Sequence, residues 1–212
     1  VDLPCPNVNI CTRFIGTTIA ESLSCALKAP KGPVHINCMF REPFFTENTS
    51  EQLSSDFPHS AQTILNLGKP SLLTQEIEVF AEDIMEHEKG IILVGQMETW
   101  ETLEPLLTLS RFLQWPIFPD ILSDLRFLGK ASGVIPNFDL ILKTIGVNED
   151  LHPDVILQFG DRFVSKKLMQ WLLFTKPKLY AHVAAHTNRK DPIHAISHRI
   201  YSDPFMFCSQ LS

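Results

Sequence analysis

No apolar run in these 212 residues approaches the roughly 20 that a bilayer-spanning helix requires. The longest, residues 90–95, has the length of one buried strand. A transmembrane segment is therefore not expected. No charged-then-apolar leader is visible, and the first residue is Val1 and not Met, which fits an excised or processed piece. An excess of positive charge is also lacking. Lysine and arginine number 18 against 24 aspartates and glutamates, for a formal net charge of −6. A nucleic-acid-binding surface, which is normally basic, is not expected. Cysteines are few: five, at 5, 11, 25, 38 and 208, with no Cys-x-x-Cys pair. That excludes a zinc ribbon or redox dithiol of the usual spacing. The odd number and scatter suit a reducing cytoplasm. Cys25 and Cys38 sit in apolar patterns and are expected as small core residues.

What is present is a globular composition. Hydrophobic residues make up 44% and charged residues 20%, enough for a packed core in one large domain or one and a half small ones. From about Cys11 to Lys28, Ile15, Ile19, Leu23 and Leu27 recur every four positions, one face of an amphipathic helix. Gly32-Pro33 ends it. Val34, Ile36 and Cys38 then alternate with polar residues in a buried strand, which Arg41-Glu42-Pro43 closes, since proline cannot donate to a ladder. Residues 46–71 are polar and aperiodic and read as a linker.

Beyond it the pattern alternates. A helix over 72–88 carries Leu73, Ile77, Phe80 and Ile84 on one stripe. A strand over 90–95 is followed by a helix over 98–114, with Trp100, Leu103, Leu107 and Leu113. Residues 115–122 form a second strand weakened by Pro116 and Pro119. A loop over 123–136, a short helix over 138–145, a strand over 154–160, a helix over 164–174 and strands over 179–185 and 198–201 complete the reading. Strands alternating with helices of this length imply an α/β, Rossmann-like, doubly wound and mainly parallel sheet with helices on both faces. The order of its strands is not readable from the sequence.

Candidate sites are sparse. Gly95 and Gly160 each lead from a strand into a helix, and such a corner can bind an anion. Neither matches Gly-x-Gly-x-x-Gly or the P-loop, so a tight turn without a ligand is the simpler reading. Ser165-Lys166-Lys167 opens the helix after Gly160, where two lysines oppose the helix dipole unless an anion lies nearby. His182, His186, His194 and His198 suggest metal ligands, but no His-Glu-x-x-His or comparable spacing completes them, and Arg189 and Lys190 would repel a cation. A polar surface is the simpler reading there. No Gly-x-Ser-x-Gly elbow supports a hydrolase triad. Glu98, Glu101 and Glu104 are read as acids at the positive end of a helix. Catalytic, cofactor-binding and metal-binding residues are accordingly assigned to none of these positions.

Ordered landmarks carry a resemblance. They are Leu3-Pro4-Cys5-Pro6, the stretch from Val34 through Glu42-Pro43, Gln114-Trp115-Pro116 and Asp120-Ile121-Leu122-Ser123. They continue with Gln158-Phe159-Gly160, Ser165-Lys166-Lys167-Leu168 with Gln170-Trp171, and Asp191-Pro192-Ile193-His194. The set resembles the thiamine-diphosphate-dependent 2-succinyl-5-enolpyruvyl-6-hydroxy-3-cyclohexene-1-carboxylate synthases (the MenD family). It implies that residues 1–45 end a pyrimidine-binding domain and that 72–212 form the central Rossmann-like domain. Members join isochorismate to the succinyl unit of 2-oxoglutarate with loss of carbon dioxide, in menaquinone or phylloquinone biosynthesis, using thiamine diphosphate and Mg2+.

The resemblance places the cofactor-activating glutamate before Val1 and the Gly-Asp-Gly metal motif after Ser212; Gly160-Asp161-Arg162 is not that motif. This chain alone is then expected to be inactive and to bind neither cofactor nor metal. Its partners would be the remaining domains of a cytoplasmic, homo-oligomeric parent. A Lys-Arg pair of the family holds acidic substrate, and Lys166 and Lys167 occupy its position, with lysine replacing arginine's bidentate fork by a point charge. Two alternatives stay open. One is another thiamine-dependent enzyme such as an acetolactate-synthase-like protein. The other is a non-catalytic module that binds an acidic metabolite at the Gly160 corner.

Overall fold

The computed structural model describes residues 1–7, 9–42, 63–97, 100–128, 133–145 and 151–212. Its contacts divide the chain into two units, Val1–Gly68 and Lys69–Ser212. Most of the expected linker, 46–71, lies outside the described residues up to position 62. No described helix is long and apolar enough to cross a membrane.

The first unit is a strand–helix–strand arrangement. β1 (Asp2–Leu3) runs parallel to β2 (Asn37–Cys38), with α1 (Thr12–Leu27) between them in sequence. Asn37 Nδ2 donates to Asp2 Oδ1 at 2.9 Å across the pair. Helix then strand is as expected, but the burial is not. β2 is two residues long and exposed instead of a buried strand over 34–38, and Cys25 and Cys38 are exposed instead of core. The reason is the small number of layers: among the described residues β2 pairs on one edge only, and α1 buries only Ser22.

The second unit begins with α2 (Thr74–Met85), whose Leu73 N–H is accepted by Glu76. β3 (Gly90–Val94) leads through a 3-10 turn, Trp100–Thr102, into α3 (Leu103–Leu113). β4 (Ile117–Pro119) is shorter than expected. The stretch read as a loop holds a 3-10 turn, Asp124–Leu128, and a parallel bridge from Ile117 to Val134. α4 (Phe138–Ile145), β5 (Val155–Phe159), α5 (Lys166–Phe174), β6 (Leu179–Ala184) and β7 (His198–Tyr201) follow as the periodicity implied. α6 (Pro204–Leu211) is an additional helix, capped by Asp203 with proline at its first position.

All five strands pair in parallel in the order β4-β3-β5-β6-β7. Pro119 is tolerated at the end of β4, which is last in the strand order, and Pro116 lies just before the strand. The two faces separate cleanly. Ile92, Val94, Val155, Leu157 and Phe159 pack with α2, α3 and α6 through Ile84, Leu106, Leu109, Phe207 and Leu211. Ile91, Leu93, Phe118 and Ile156 face α4 and α5 through Phe138, Leu142, Leu168 and Trp171. Successive strand residues alternate between these clusters, as a pleat requires. The domain is therefore α/β and doubly wound.

Candidate functional site at the carboxyl edge of the sheet

Strand order reverses between β3 and β5, the place where open α/β sheets commonly bind ligands. Here main chain fills it. Gly95 N donates to Phe159 O at 2.8 Å, Gln96 N to Arg162 O at 3.2 Å, and Asp161 N to Gln96 O at 3.0 Å. Gly160 has φ +73°, and a Cβ there would lie 2.5 Å from the Gln96 carbonyl oxygen. The two glycines thus permit close backbone approach. Both corners are tight turns.

Beside this corner the start of α5 is built from acids already in the chain. Asp120, fully buried just after β4, accepts from Leu122 N at 3.1 Å through Oδ1. Through Oδ2 it accepts from Val164 N at 2.8 Å and Ser165 N at 3.2 Å. Ser165 is the N-cap of α5: its Oγ accepts from Leu168 N at 2.9 Å, and its hydroxyl donates to Asp139 of α4. Lys166 and Lys167 follow, both exposed. Among the described residues neither has a carboxylate within ion-pair distance. The dipole at this helix start is thus answered by the chain's own carboxylates, which leaves the lysine charges available outward.

On the α4 and α5 face, a cavity of about 360 Å³ opens beside Gly160. Arg162, Arg189 and Lys190 bring cations to it, and Phe163, Met169 and Ile193 give it apolar wall. Its floor is a hydrogen-bonded chain. Tyr180 Oη donates to Gln158 Oε1 at 2.7 Å, and Gln158 Nε2 donates to Gly160 O at 3.4 Å. Burial holds the Tyr180 hydroxyl well above the usual phenol range. Asp161 is engaged by His186 Nε2 at 2.8 Å and by Lys190 at 3.8 Å. Asp191 is spent on backbone, accepting from Ala195 N and Ile196 N at 3.1 and 3.3 Å.

Of the four histidines, His194 and His198 are exposed, as a polar surface implies, whereas His182 and His186 are drawn into the sheet's carboxyl edge. His182 is 3% exposed, and its Nε2–H donates to the Gly160 carbonyl at 3.0 Å. Burial pushes its pKa below the ordinary histidine value, against the opposing pull of that hydrogen bond and of nearby Asp161. His186 accepts from Asn188 N at Nδ1, which assigns its proton to Nε2 and its donation to Asp161. His194 contacts Arg189, and His198 contacts Ser197. Among the described residues no three His, Cys, Asp or Glu side chains gather as a metal centre would require.

Of the acids read at a helix start, Glu101 lies in the 3-10 turn and Glu104 in the first turn of α3, as expected. Glu101 pairs with Lys69 at 2.8 Å, a hydrogen bond that lowers the carboxyl pKa and raises that of the ammonium. Glu104 meets Arg111, and Glu98 lies outside the described residues. Sequence reasoning named Asp120 only within a landmark and Asp161 and Arg162 only as not the Gly-Asp-Gly motif, and gave none of them a role. Their roles depend on partners far along the chain, and no local spacing marks them.

A diphosphate-bearing cofactor does not fit what is described here. The reversal point is occupied by backbone, the α5 start is already capped by carboxylates, and among the described residues no metal-ligating cluster accompanies either.

The comparisons with known proteins agree with this architecture. A family model described as "Middle domain of thiamine pyrophosphate" matches residues 62–211. The chain is 30% identical over 207 residues to a 2-succinyl-5-enolpyruvyl-6-hydroxy-3-cyclohexene-1-carboxylate synthase of Salinibacter ruber, covering 94% of this chain and 35% of that protein. It is 33% identical to the synthase of the same name from Shewanella sediminis, covering 99% and 37%. It is 29% identical to the chloroplastic protein PHYLLO of Arabidopsis thaliana, covering 98% and 13%. The chain thus spans little more than a third of the bacterial relatives' length. A Mycobacterium smegmatis structure, assigned as a thiamin diphosphate-dependent enzyme, superposes with a TM-score of 0.57 at 11% identity, covering 99% of this chain and 38% of that one. That last likeness speaks for the fold alone. With its parallel five-stranded sheet and the match over residues 62–211, this chain belongs to the family of thiamine pyrophosphate middle domains.

Proposed function

We propose that this chain is the central part of a thiamine-diphosphate-dependent carboligase of menaquinone or phylloquinone biosynthesis. The parent enzyme joins isochorismate to the succinyl unit of 2-oxoglutarate with release of carbon dioxide. Thiamine diphosphate and Mg2+ are held by parts of the parent outside these residues. A cytoplasmic, homo-oligomeric parent goes with this reading, although one relative is chloroplastic. The observation that carries it is identity near 30% sustained over 94–99% of the chain with synthases of one name. Within the parent, this chain supplies the scaffold and one basic edge, Lys166 and Lys167, that holds acidic substrate.

The test uses the full-length protein with thiamine diphosphate and Mg2+. Isochorismate should be consumed only when 2-oxoglutarate is present, and carbon dioxide should appear in equal amount. Lys166→Ala should raise a substrate KM, since loss of one charge-assisted hydrogen bond costs about 1.5–3 kcal/mol, or roughly tenfold to a hundredfold. Lys167→Arg should be neutral or favourable, because it restores a bidentate donor. Absence of the coupled reaction, or unchanged kinetics in Lys166→Ala, would remove the respective part of the reading.

The cavity beside Gly160 favours a second role for the same domain. Arg162 and Arg189, set against an apolar wall, suit an acidic metabolite with an apolar body, bound as a regulatory ligand. Calorimetric titration with aromatic carboxylates should show saturable heat that Arg189→Ala abolishes. No heat in either form would discard it.

A further inference from the structure

We propose that Asp120 is a positioning residue for substrate binding. Its buried carboxylate fixes the main chain from which Lys166 and Lys167 project. The inference rests on the reading of those lysines as the basic edge, and extends it to a residue that touches no substrate.

Three observations support it. Asp120 is fully buried, yet among the described residues no cation pairs with it; its charge is met by three backbone N–H groups. Burying a carboxylate is costly unless each oxygen is satisfied, so the three donors and the acid stand or fall together. Two of those donors, Val164 and Ser165, lie 44 and 45 residues further along the chain, so the acid ties the exit of β4 to the start of α5. Ser165 is held a second time, through its hydroxyl, by Asp139 of α4. The residue immediately before Lys166 is therefore clamped from two other elements, by main chain and by side chain.

Register is what such a clamp controls. One residue of slippage at a helix start turns every following side chain by about 100°. Two exposed lysines on flexible stems hold an anion at a defined place only if their Cα positions are defined. A role confined to packing would be met as well by asparagine, which has the same shape. A carboxamide, however, has one acceptor oxygen, which serves either Leu122 N at the exit of β4 or Val164 N and Ser165 N at the start of α5, so its N–H2 group faces a donor on the other side and the tie between the two elements is broken at one end.

The experiment is a double-mutant cycle in the full-length protein with thiamine diphosphate and Mg2+, measuring kcat and KM for isochorismate and 2-oxoglutarate. Asp120→Asn should raise the KM that Lys166→Ala raises, by roughly tenfold, with kcat changed far less. The double variant should be no worse than the more impaired single one, because both act through the same lysine. Ser110→Ala, which removes a buried bond to Trp115 O at 2.6 Å on the opposite face of the sheet, should lower stability and leave KM unchanged. If Asp120→Asn does not fold, Asp139→Ala takes its place in the same cycle, with a smaller rise of the same pattern. Multiplying effects, or an unchanged KM in a folded variant while Lys166→Ala is impaired, would overturn the positioning role. If Lys166→Ala itself is unimpaired, the basic-edge reading fails first, and this inference with it.

Discussion

Two amphipathic helices of this chain read alike and are buried very differently. α1 has 16 residues and buries only Ser22, while Leu23 and Leu27 of its stripe are 57% and 60% exposed. α3 has 11 residues and buries Leu106, Leu107, Leu109 and Ser110. Periodicity forms the helix in both cases, because it records which side chains share a face. Burial needs a second layer, which the five-stranded sheet supplies to α3. In the described part of the first unit the only sheet is two strands of two residues each. An apolar stripe is thus evidence for a helix and only a request for a partner.

The largest expected contrast comes from truncating the stripes themselves. Phe159 is fully buried, with its ring 5.9 Å from Phe207 across the sheet–helix interface. Phe159→Ala should destabilise by about 3–5 kcal/mol, through lost transfer energy and the cavity left behind. Leu23→Ala in α1 should fall within about 0.5 kcal/mol, as an exposed substitution between two good helix formers. Denaturant unfolding monitored by circular dichroism measures both. A cost above about 2 kcal/mol for Leu23→Ala would break the comparison, by showing that α1 is covered in solution.

Glycines draw the same line more finely. Gly160 has φ +73° and its Cβ position is 2.5 Å from a backbone oxygen, which cannot swing away as a side-chain tip would. Gly160→Ala should cost about 2–3 kcal/mol, combining the left-handed backbone penalty with the clash. At Gly32 and Gly68 an added methyl group would meet nothing within 4 Å. Gly32→Ala should be neutral, or stabilising by up to about 1 kcal/mol through the unfolded chain. Thermal midpoints of the two variants sharpen the comparison. Equal losses would mean that the corner between β3 and β5 opens in solution.

Much of the second unit was legible in residue order because its signals are local. Alternating strand and helix periods marked every strand of the five-stranded sheet, and Pro116 and Pro119 matched the shortness of β4 and its place at the end of the strand order. Strand order was not legible, since it is decided by contacts between elements far apart in the chain. α6 was signalled only by Asp203-Pro204, a cap and first-turn proline, over too few residues for a full period. Of the candidate site, Lys166 and Lys167 showed as an anomaly of charge at a helix start. Asp120 showed only as part of a landmark, and its role did not show, because an aspartate after a strand looks like an ordinary turn residue until Val164 and Ser165 are brought to it. The histidines follow the same rule: their spacing was visible, and the partners of His182 and His186, Gly160 and Asp161 on another strand's exit, were not.

The smallest expected effect concerns protons. His182 is buried in the second unit, whereas His35 of the first unit is exposed. Burial is the main cause that lowers the His182 pKa from its ordinary 6.5; the Gly160 hydrogen bond and Asp161 pull it back, and His186 and Arg199 lower it further. With the native pKa depressed, the unfolded chain takes up a proton first as pH falls below about 6.5. Unfolding then binds more protons than folding does, so stability is retained at neutral pH and declines as pH falls toward the native pKa. One such group contributes at most about 1.4 kcal/mol per pH unit. Urea midpoints between pH 7.5 and 5 should fall more steeply for the natural chain than for His182→Gln. That variant can still donate to the Gly160 carbonyl but does not titrate. Parallel slopes in the two proteins would show that His182 is not the titrating group. A slope that rises toward low pH would mean that the imidazole is held charged in the folded state.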